Sequence, residues 1–143
     1  MSDQTKKLDA GKAPLWLVPW EALEPMIPLP ARAAARQLHD WVWRRGPAPK
    51  LDPQIVFEAA PVLAFGAKKY SPGGWERGVE FTRVASAGLR HALAYGTLDG
   101  ESGLPHAGHL ACNLLFAATF EARGERYASQ DDRPKAPSAE PAK

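Results

Sequence analysis

In the stretch ESGLPHAGHLACN, residues 101–113, an acid, two histidines and an amide stand where a Gly- and Pro-punctuated loop gives way to an apolar run. Helical spacing from Pro105 onward puts His106, His109 and Asn113 at i, i+3 and i+7, about opposite a stripe through Leu110, Leu114 and Ala118. Three polar side chains on one face can converge on one ligand. Asp99 and Glu101 lie in the loop just before, near a helix N-terminus whose free N–H groups and dipole favour an anion such as phosphate. The plainer alternative is a solvated helix face with a histidine near its cap.

A second polar set consists of Glu58, with Lys68, Lys69 and Tyr70 at the far end of the same predicted helix, and Arg90 and His91 on the next one. A carboxylate suits a hard divalent cation such as Mg²⁺, and the cations suit phosphate oxygens. Read plainly, the two lysines only favour a helix C-terminus and Glu58 is an exposed charge. Acids, imidazoles, an amide and cations gathered in a small helical chain together favour a polyphosphate ligand, because burying them without one costs desolvation. Trp75, in a Gly-rich turn beside Tyr70, either stacks on a base or plugs the end of the bundle. The dipeptide His39-Asp40 lacks the further His and Asp ligands of a metal phosphohydrolase and reads as coincidence. No P-loop, dinucleotide glycine pattern, nucleophile elbow or paired CxxC is present.

These residues need helices to position them. A short turn fits residues 21–26, and an Ala-rich helix over 31–45 has Ala35, Leu38, Trp41 and Val42 on its apolar face before Gly46 and Pro47 stop it. Asp52-Pro53 is a strong helix start. The core face that follows runs through Ile55, Val56, Ala59, Val62, Leu63 and Ala67, with a kink expected at Pro61. Phe81, Val84, Ala85, Leu89, Ala92 and Leu93 mark a helix over 80–95, and Pro105 opens a last one that ends at Gly124. Nothing alternates with period two. The expected fold is all-α: a small bundle of three to four core helices with an extended N-terminal arm lying on it.

Composition sets the limits. At 143 residues, 45% hydrophobic and 24% charged, the chain has the make-up of one globular domain, placed at 1–123, with the polar, Pro-rich 124–143 expected to be a disordered tail. A net charge of +2 with scattered basic residues makes nucleic acid an unlikely partner; a weaker reading would enlist Arg32, Arg36, Arg44 and Arg45. Cys112 is the only cysteine and reads as a buried reduced thiol. No apolar run approaches the roughly 18 residues of a membrane span, so a cytoplasmic protein without a membrane partner is the expectation.

KLDAGKAPLWLVPWEAL, EAAPVLAFGAKKYSPGGWERG, RVASAGLRHALAY and ESGLPHAGHLACNLLF resemble, in this order, the small phage and bacterial dATP/dGTP diphosphohydrolases, relatives of the MazG-like all-α nucleotide pyrophosphohydrolases. The FGAKKY block with Trp75 and the SGLPHAGHLACN block are the most specific; Lys7, Asp9, Gly11 and Lys12 match more weakly. The resemblance implies hydrolysis of a purine deoxynucleoside triphosphate to monophosphate and pyrophosphate, with Mg²⁺ or Mn²⁺, in a homo-oligomer in the cytoplasm of a bacterial host cell, where the gene can be phage-borne. Glu58, Glu101, His106, His109 and Asn113 fall on polar motif positions of that family, as do Lys68, Lys69, Arg90 and His91; their chemistry assigns the first set to catalysis and the second, with Tyr70 and Trp75, to substrate binding. The chemistry of hard cations then assigns the metal to Glu58, Asp99 and Glu101. Against that pattern residues 27–51 read as an insertion, and the paired ExxE and ExxD acids of MazG enzymes are absent. The rival reading is a non-catalytic helical module that senses a nucleotide in the same pocket or binds a protein through Trp41 and Trp43.

Overall fold

A computed structural model of the chain describes residues 13–135. Its helices are α1 (Trp20–Leu23), α2 (Leu29–Val42), α3 (Pro53–Lys69), α4 (Phe81–Leu93) and α5 (His106–Arg123), with 3₁₀ turns at Leu15–Leu17, Glu24–Met26, Gly74–Arg77 and Gly124–Gln130. Among the described residues the β-type pairing is one isolated antiparallel bridge, Leu98 to Pro105. The fold is all-α, as the periodicity indicates; the weaker family positions Lys7 to Lys12 lie outside the described residues.

The central helix is α5, packed against α3 and against α4, with α2 laid on α4. Its sequence explains the position, because it is apolar on two sides. Leu110, Leu114, Ala117 and Phe120 join the main core, while Ala111 and Cys112 meet Ala59 of α3 in a second cluster. Ala117, not Ala118, carries the main stripe, and Asn113 is buried at 7% exposure rather than set on a solvated face.

Asp52 caps α3 by accepting from the Ile55 N–H at 2.9 Å, and the helix runs on through Pro61. Its core face is narrower than its apolar sequence indicates: Ala59 is its one buried residue, and Val56, expected inside, is 48% exposed. The reason is that α3 meets α5 along one line, at Gly108. A Cβ there would stand 3.0 Å from the Glu58 carbonyl oxygen and 3.1 Å from Val62 Cγ2, so the missing side chain sets the helix separation.

Residues 27–51, read as an insertion, supply the main core with Ile27, Ala31, Ala35, Leu38, Trp41 and Val42. Trp41 is fully buried, stacked on Phe81 at 5.1 Å, and half-buried Trp43 packs on Trp16 at 5.2 Å. Neither is displayed for a partner, which removes the support expected for a tryptophan-mediated interaction surface. The arm does lie on the core: the Trp16 N–H donates to Ser86 Oγ and the Trp43 indole N–H to the Trp16 carbonyl. The arginines of the nucleic-acid reading are engaged within the chain: Arg32 bonds the Ile27 carbonyl, Arg36 pairs with Asp40, Arg44 with Asp131, and Arg45 lies over Trp43.

The expectation of a disordered tail from 124 is corrected for 124–135. Tyr127 is buried and donates its hydroxyl to the Glu76 carbonyl, Asp132 accepts from the Thr82 N–H and hydroxyl, and Arg133 pairs with Glu121 and Asp131 while lying 5.0 Å from the Trp41 and Phe81 rings. One aromatic and several satisfied charges hold a segment whose composition suggested none of this; residues 136–143 lie outside the described part.

Candidate functional site

The hairpin between α4 and α5 builds the first half of the site. The Asp99 N–H donates to the Leu104 carbonyl, the Gly103 N–H to the Asp99 carbonyl, and the His106 N–H to the Thr97 carbonyl. Asp99 folds back as an Asx turn, its Oδ2 accepting from the Glu101 and Ser102 N–H groups at 3.1 and 2.9 Å. That turn delivers the carboxylate to the end of α4, where His91 is buried, and to the start of α5, where His106 and His109 stand one turn apart.

Three imidazoles therefore meet. The Nδ1 atoms of His91 and His106 lie 2.8 Å apart, one donating to the other, and the His91 ring stacks on His109 at 4.7 Å and 17°. His109 Nε2 is 2.7 Å from Ser102 Oγ and 3.7 Å from Asp99 Oδ2. The Leu104 N–H donates to the same Oγ, which leaves the hydroxyl proton for His109. Burial first, then the charges of Arg90 and the other two imidazoles, pushes His91 down to about 3; burial also lowers His109, partly offset by Asp99. Both rings are neutral at pH 7 and keep a lone pair. Burial raises Asp99, but the Ser102 hydrogen bonds and nearby imidazoles outweigh it and hold the carboxyl below its ordinary value. His91, Asp99 and His106 each present a ligand atom within 4.8 Å of the others, a group able to hold a metal ion.

Beside this cluster opens a cleft of about 520 Å³ between the C-terminal half of α3, the Gly74–Arg77 turn and α5. Phe65, Tyr70, Trp75 and Phe116 line it with aromatic surface, and Arg77, Glu101, His109 and Asn113 with polar groups. Trp75 stacks on Phe116 at 4.7 Å and also lines the cleft, so it closes the bundle end while standing within reach of a ligand. Lys69 sits at the rim, paired with Glu101 at 2.8 Å and 5.3 Å from the Tyr70 ring, and that hydrogen bond holds its ammonium above the ordinary value. Asn113 donates to the His109 carbonyl and also lines a second groove of about 340 Å³ with Arg83 and Arg90.

The sequence-derived residues divide accordingly. His91, Asp99, His106 and His109 come together, Glu101, Asn113, Tyr70 and Trp75 border the adjoining cleft, and Lys69 is tied to it through Glu101. Arg90 faces the second groove, and Lys68 is exposed outside both. Glu58 stands elsewhere: its carboxylate accepts from Gln54 at 3.1 Å and lines a shallow groove with Pro61, Val62, Leu104 and Pro105. Neither Glu58 nor Glu101 belongs to the metal-competent group. The physical reason is that α3 offers its backbone, not its carboxylate, where it meets α5, while Glu101 is drawn to Lys69. The sequence reading did not include Ser102, which is hydrogen-bonded to His109, or the meeting of His91 with Asp99 and His106 in a group able to hold a metal ion. The DGES turn signalled the first; the second depends on how the hairpin folds. His39 is buried with a ring nitrogen 2.8 Å from the Val18 carbonyl, and Asp40 pairs with Arg36, so that dipeptide is structural. Cys112 is buried and its thiol pushed up to about 12, which makes it no nucleophile.

Fold and site together define an all-α domain with a histidine–aspartate cluster opening into an aromatic cleft. Residues 47–133 match the family model of the dATP/dGTP diphosphohydrolase N-terminal region, well over half of the chain, and the protein belongs to that family. A curated dATP/dGTP diphosphohydrolase of Salmonella phage PMBT28 is 36% identical over 92 residues, which are 62% of this chain and 31% of the phage protein. The chain thus spans about a third of that relative. No solved structure matches it. The family match begins beyond α2, and among the described residues no helix is long and apolar enough to cross a membrane.

Proposed function

We propose that this protein hydrolyses purine deoxynucleoside triphosphates, dATP and dGTP, to the monophosphate and pyrophosphate, in the cytoplasm of a bacterial cell and as a homo-oligomer. The observation that carries the reading is the junction of the two halves of the site: His109 belongs both to the His–Asp cluster and to the lining of the aromatic cleft. Family membership supports the substrate class.

In this reading the base lies against Tyr70, Trp75 and Phe65, the wider π face of a purine giving more stacking than a pyrimidine. Lys69 and Arg77 take the phosphate oxygens, with Lys69 exchanging Glu101 for the more strongly charged tail. Water attacks the α-phosphorus, the bond from that phosphorus to the α,β-bridging oxygen breaks, and pyrophosphate leaves. The attacking water passes its proton to Ser102 Oγ as the Ser102 hydroxyl proton moves to the lone pair of neutral His109 Nε2, so the imidazole takes up the proton through the serine. Asn113 steadies the helix turn that carries it.

The family resemblance implies Mg²⁺ or Mn²⁺, and the residues present fit a divalent ion at His91, Asp99 and His106. When bound there, such an ion would neutralise phosphate charge and acidify water. Two nitrogens and one oxygen suit Mn²⁺ better than Mg²⁺, which prefers an all-oxygen shell. Glu101, which lines the cleft, remains a proposed contributor through the bound nucleotide, whereas Glu58 lies in a separate groove and has no part in this reading.

Purified protein with each of the four deoxynucleoside triphosphates and Mn²⁺, followed by anion-exchange separation, tests the reading. Deoxyadenosine and deoxyguanosine monophosphates with equimolar pyrophosphate are expected, and kcat should fall at least a hundredfold in His109→Gln. Binding of dATP without turnover under any metal would favour the nucleotide-sensing module instead.

A further inference from the structure

We propose that His91, Asp99 and His106 form a nitrogen-rich site for a first-row transition ion of the Mn²⁺ or Co²⁺ class, which excludes Mg²⁺ and staples the α4–α5 hairpin. The inference deepens the preceding reading, because it concerns the ion that reading calls for, but it stands on donor atoms and packing and does not require nucleotide turnover.

The three ligands come from three separate segments: the last turn of α4, the connecting loop, and the first residue of α5. What brings them together is already complete without an ion. Asp99 is fixed through Oδ2 by two backbone N–H groups, and neither of those bonds, nor the approach of His109, uses Oδ1. The His91 ring is clamped between His106, at 5.1 Å, and His109, at 4.7 Å. A preset donor group loses little conformational freedom on binding.

Geometry and donor type then choose the ion. The two Nδ1 atoms share a hydrogen bond at 2.8 Å, near the roughly 3 Å edge of an octahedron built on metal–nitrogen bonds of about 2.1 Å, and an ion would replace that proton, which moves to the Nε2 of the same ring. A wider tetrahedral edge fits less well. Imidazole nitrogen suits borderline ions and gives Mg²⁺ little compensation for the water it must release, so discrimination between the two classes is built in. Three protein ligands leave further positions open to water or phosphate oxygens. Because the ligands span both helices and their loop, occupancy stabilises the folded hairpin by mass action.

The test uses the full chain stripped with a chelator and titrated with Co²⁺, read by visible absorption and calorimetry, with Mn²⁺ and Mg²⁺ as competitors. One equivalent of Co²⁺ is expected, displaced by Mn²⁺ only at tenfold or greater excess and not by a thousandfold excess of Mg²⁺, with Tm rising as Co²⁺ is added. His106→Ala, at a half-buried helix start, and His91→Gln should each weaken Co²⁺ binding at least a hundredfold while the circular dichroism stays helical; Glu58→Gln should leave the affinity unchanged. Absence of stoichiometric Co²⁺ binding, equal affinity for Mg²⁺, or binding that persists in both histidine variants would overturn the proposal. Turnover of dATP with Mg²⁺ and no Co²⁺ site would sink this inference and leave the hydrolase standing, whereas a Co²⁺ site with no turnover would do the reverse.

Discussion

Lys69 separates the stability of the fold from the proposed binding of a ligand. Its pairing with Glu101 is largely exposed, and such pairs contribute under about 1 kcal/mol to folding. In the proposed reading the same ammonium would meet several negative oxygens of a triphosphate, through charge-assisted bonds that are stronger than its pair with Glu101. Lys69→Ala should therefore leave the denaturation midpoint nearly unchanged and raise KM for dATP about tenfold. Steady-state kinetics beside a urea titration reads both, and a large loss of stability would show that the lysine is structural. His109 contrasts with it: the cluster was legible in part, since His106, His109 and Asn113 do share a helix with period 3.6. That spacing put them on one face, but it could not show that His91, fifteen residues earlier, faces His106. Contact across a folded loop leaves no periodic trace in the chain.

At the scale of elements, the helices were legible because capping and apolar spacing are local. Asp52 caps α3 as its type demands, and α2, α4 and α5 end within a few residues of the Gly, Pro and polar signals that mark them. Two features escaped. The exposure of Val56 follows from α3 having one packing partner, a tertiary fact. The order of residues 124–135 follows from polar satisfaction, which composition averages away. Arg133, 6% exposed between two aromatic rings and two carboxylates, is the anchor there. Arg133→Ala should cost about 2–4 kcal/mol, measured by chemical denaturation, since it leaves Asp131 only Arg44 and Glu121 only the Trp41 indole as partners and opens the Trp41–Phe81 face. A change below 0.5 kcal/mol would mean the segment is only draped on the core. Gly108→Ala should cost about 1–3 kcal/mol by forcing α3 away from α5.

The same segment gives a pH dependence with a defined sign. The hydrogen bond from Arg133 first, opposed by burial and aided by the charges of Arg133 and Arg44, holds Asp131 below its ordinary 3.8. The folded state therefore prefers the ionised form, its contribution is fully present above the unfolded value, and it is lost as pH falls through the lower folded value. Asp131→Asn should be less stable than the parent at pH 7 and should flatten the acid limb of the stability curve below pH 4. An unchanged acid limb would remove Asp131 from the account.

Across the whole molecule, an apolar central helix holds two packing faces, and the polar groups that interrupt it fall where α4, the hairpin and α3 converge. The arrangement places a proton acceptor and a metal-competent cluster at one end of an aromatic cleft large enough for a nucleotide. The chain covers about a third of the phage relative, and the family match leaves α2 outside, yet α2 supplies much of the core here. Deleting residues 13–46 should accordingly leave a protein without a cooperative thermal transition, although the whole family match, residues 47–133, survives; a sharp transition in that truncate would make α2 dispensable.

The most direct measurement is hydrolysis of dATP by the full chain in ¹⁸O-labelled water with Mn²⁺, with the products resolved by mass spectrometry. The account predicts one labelled oxygen in the deoxyadenosine monophosphate and none in the pyrophosphate, with the reaction lost in His109→Gln. Label in the pyrophosphate, release of inorganic triphosphate, or no turnover of either purine substrate would contradict it.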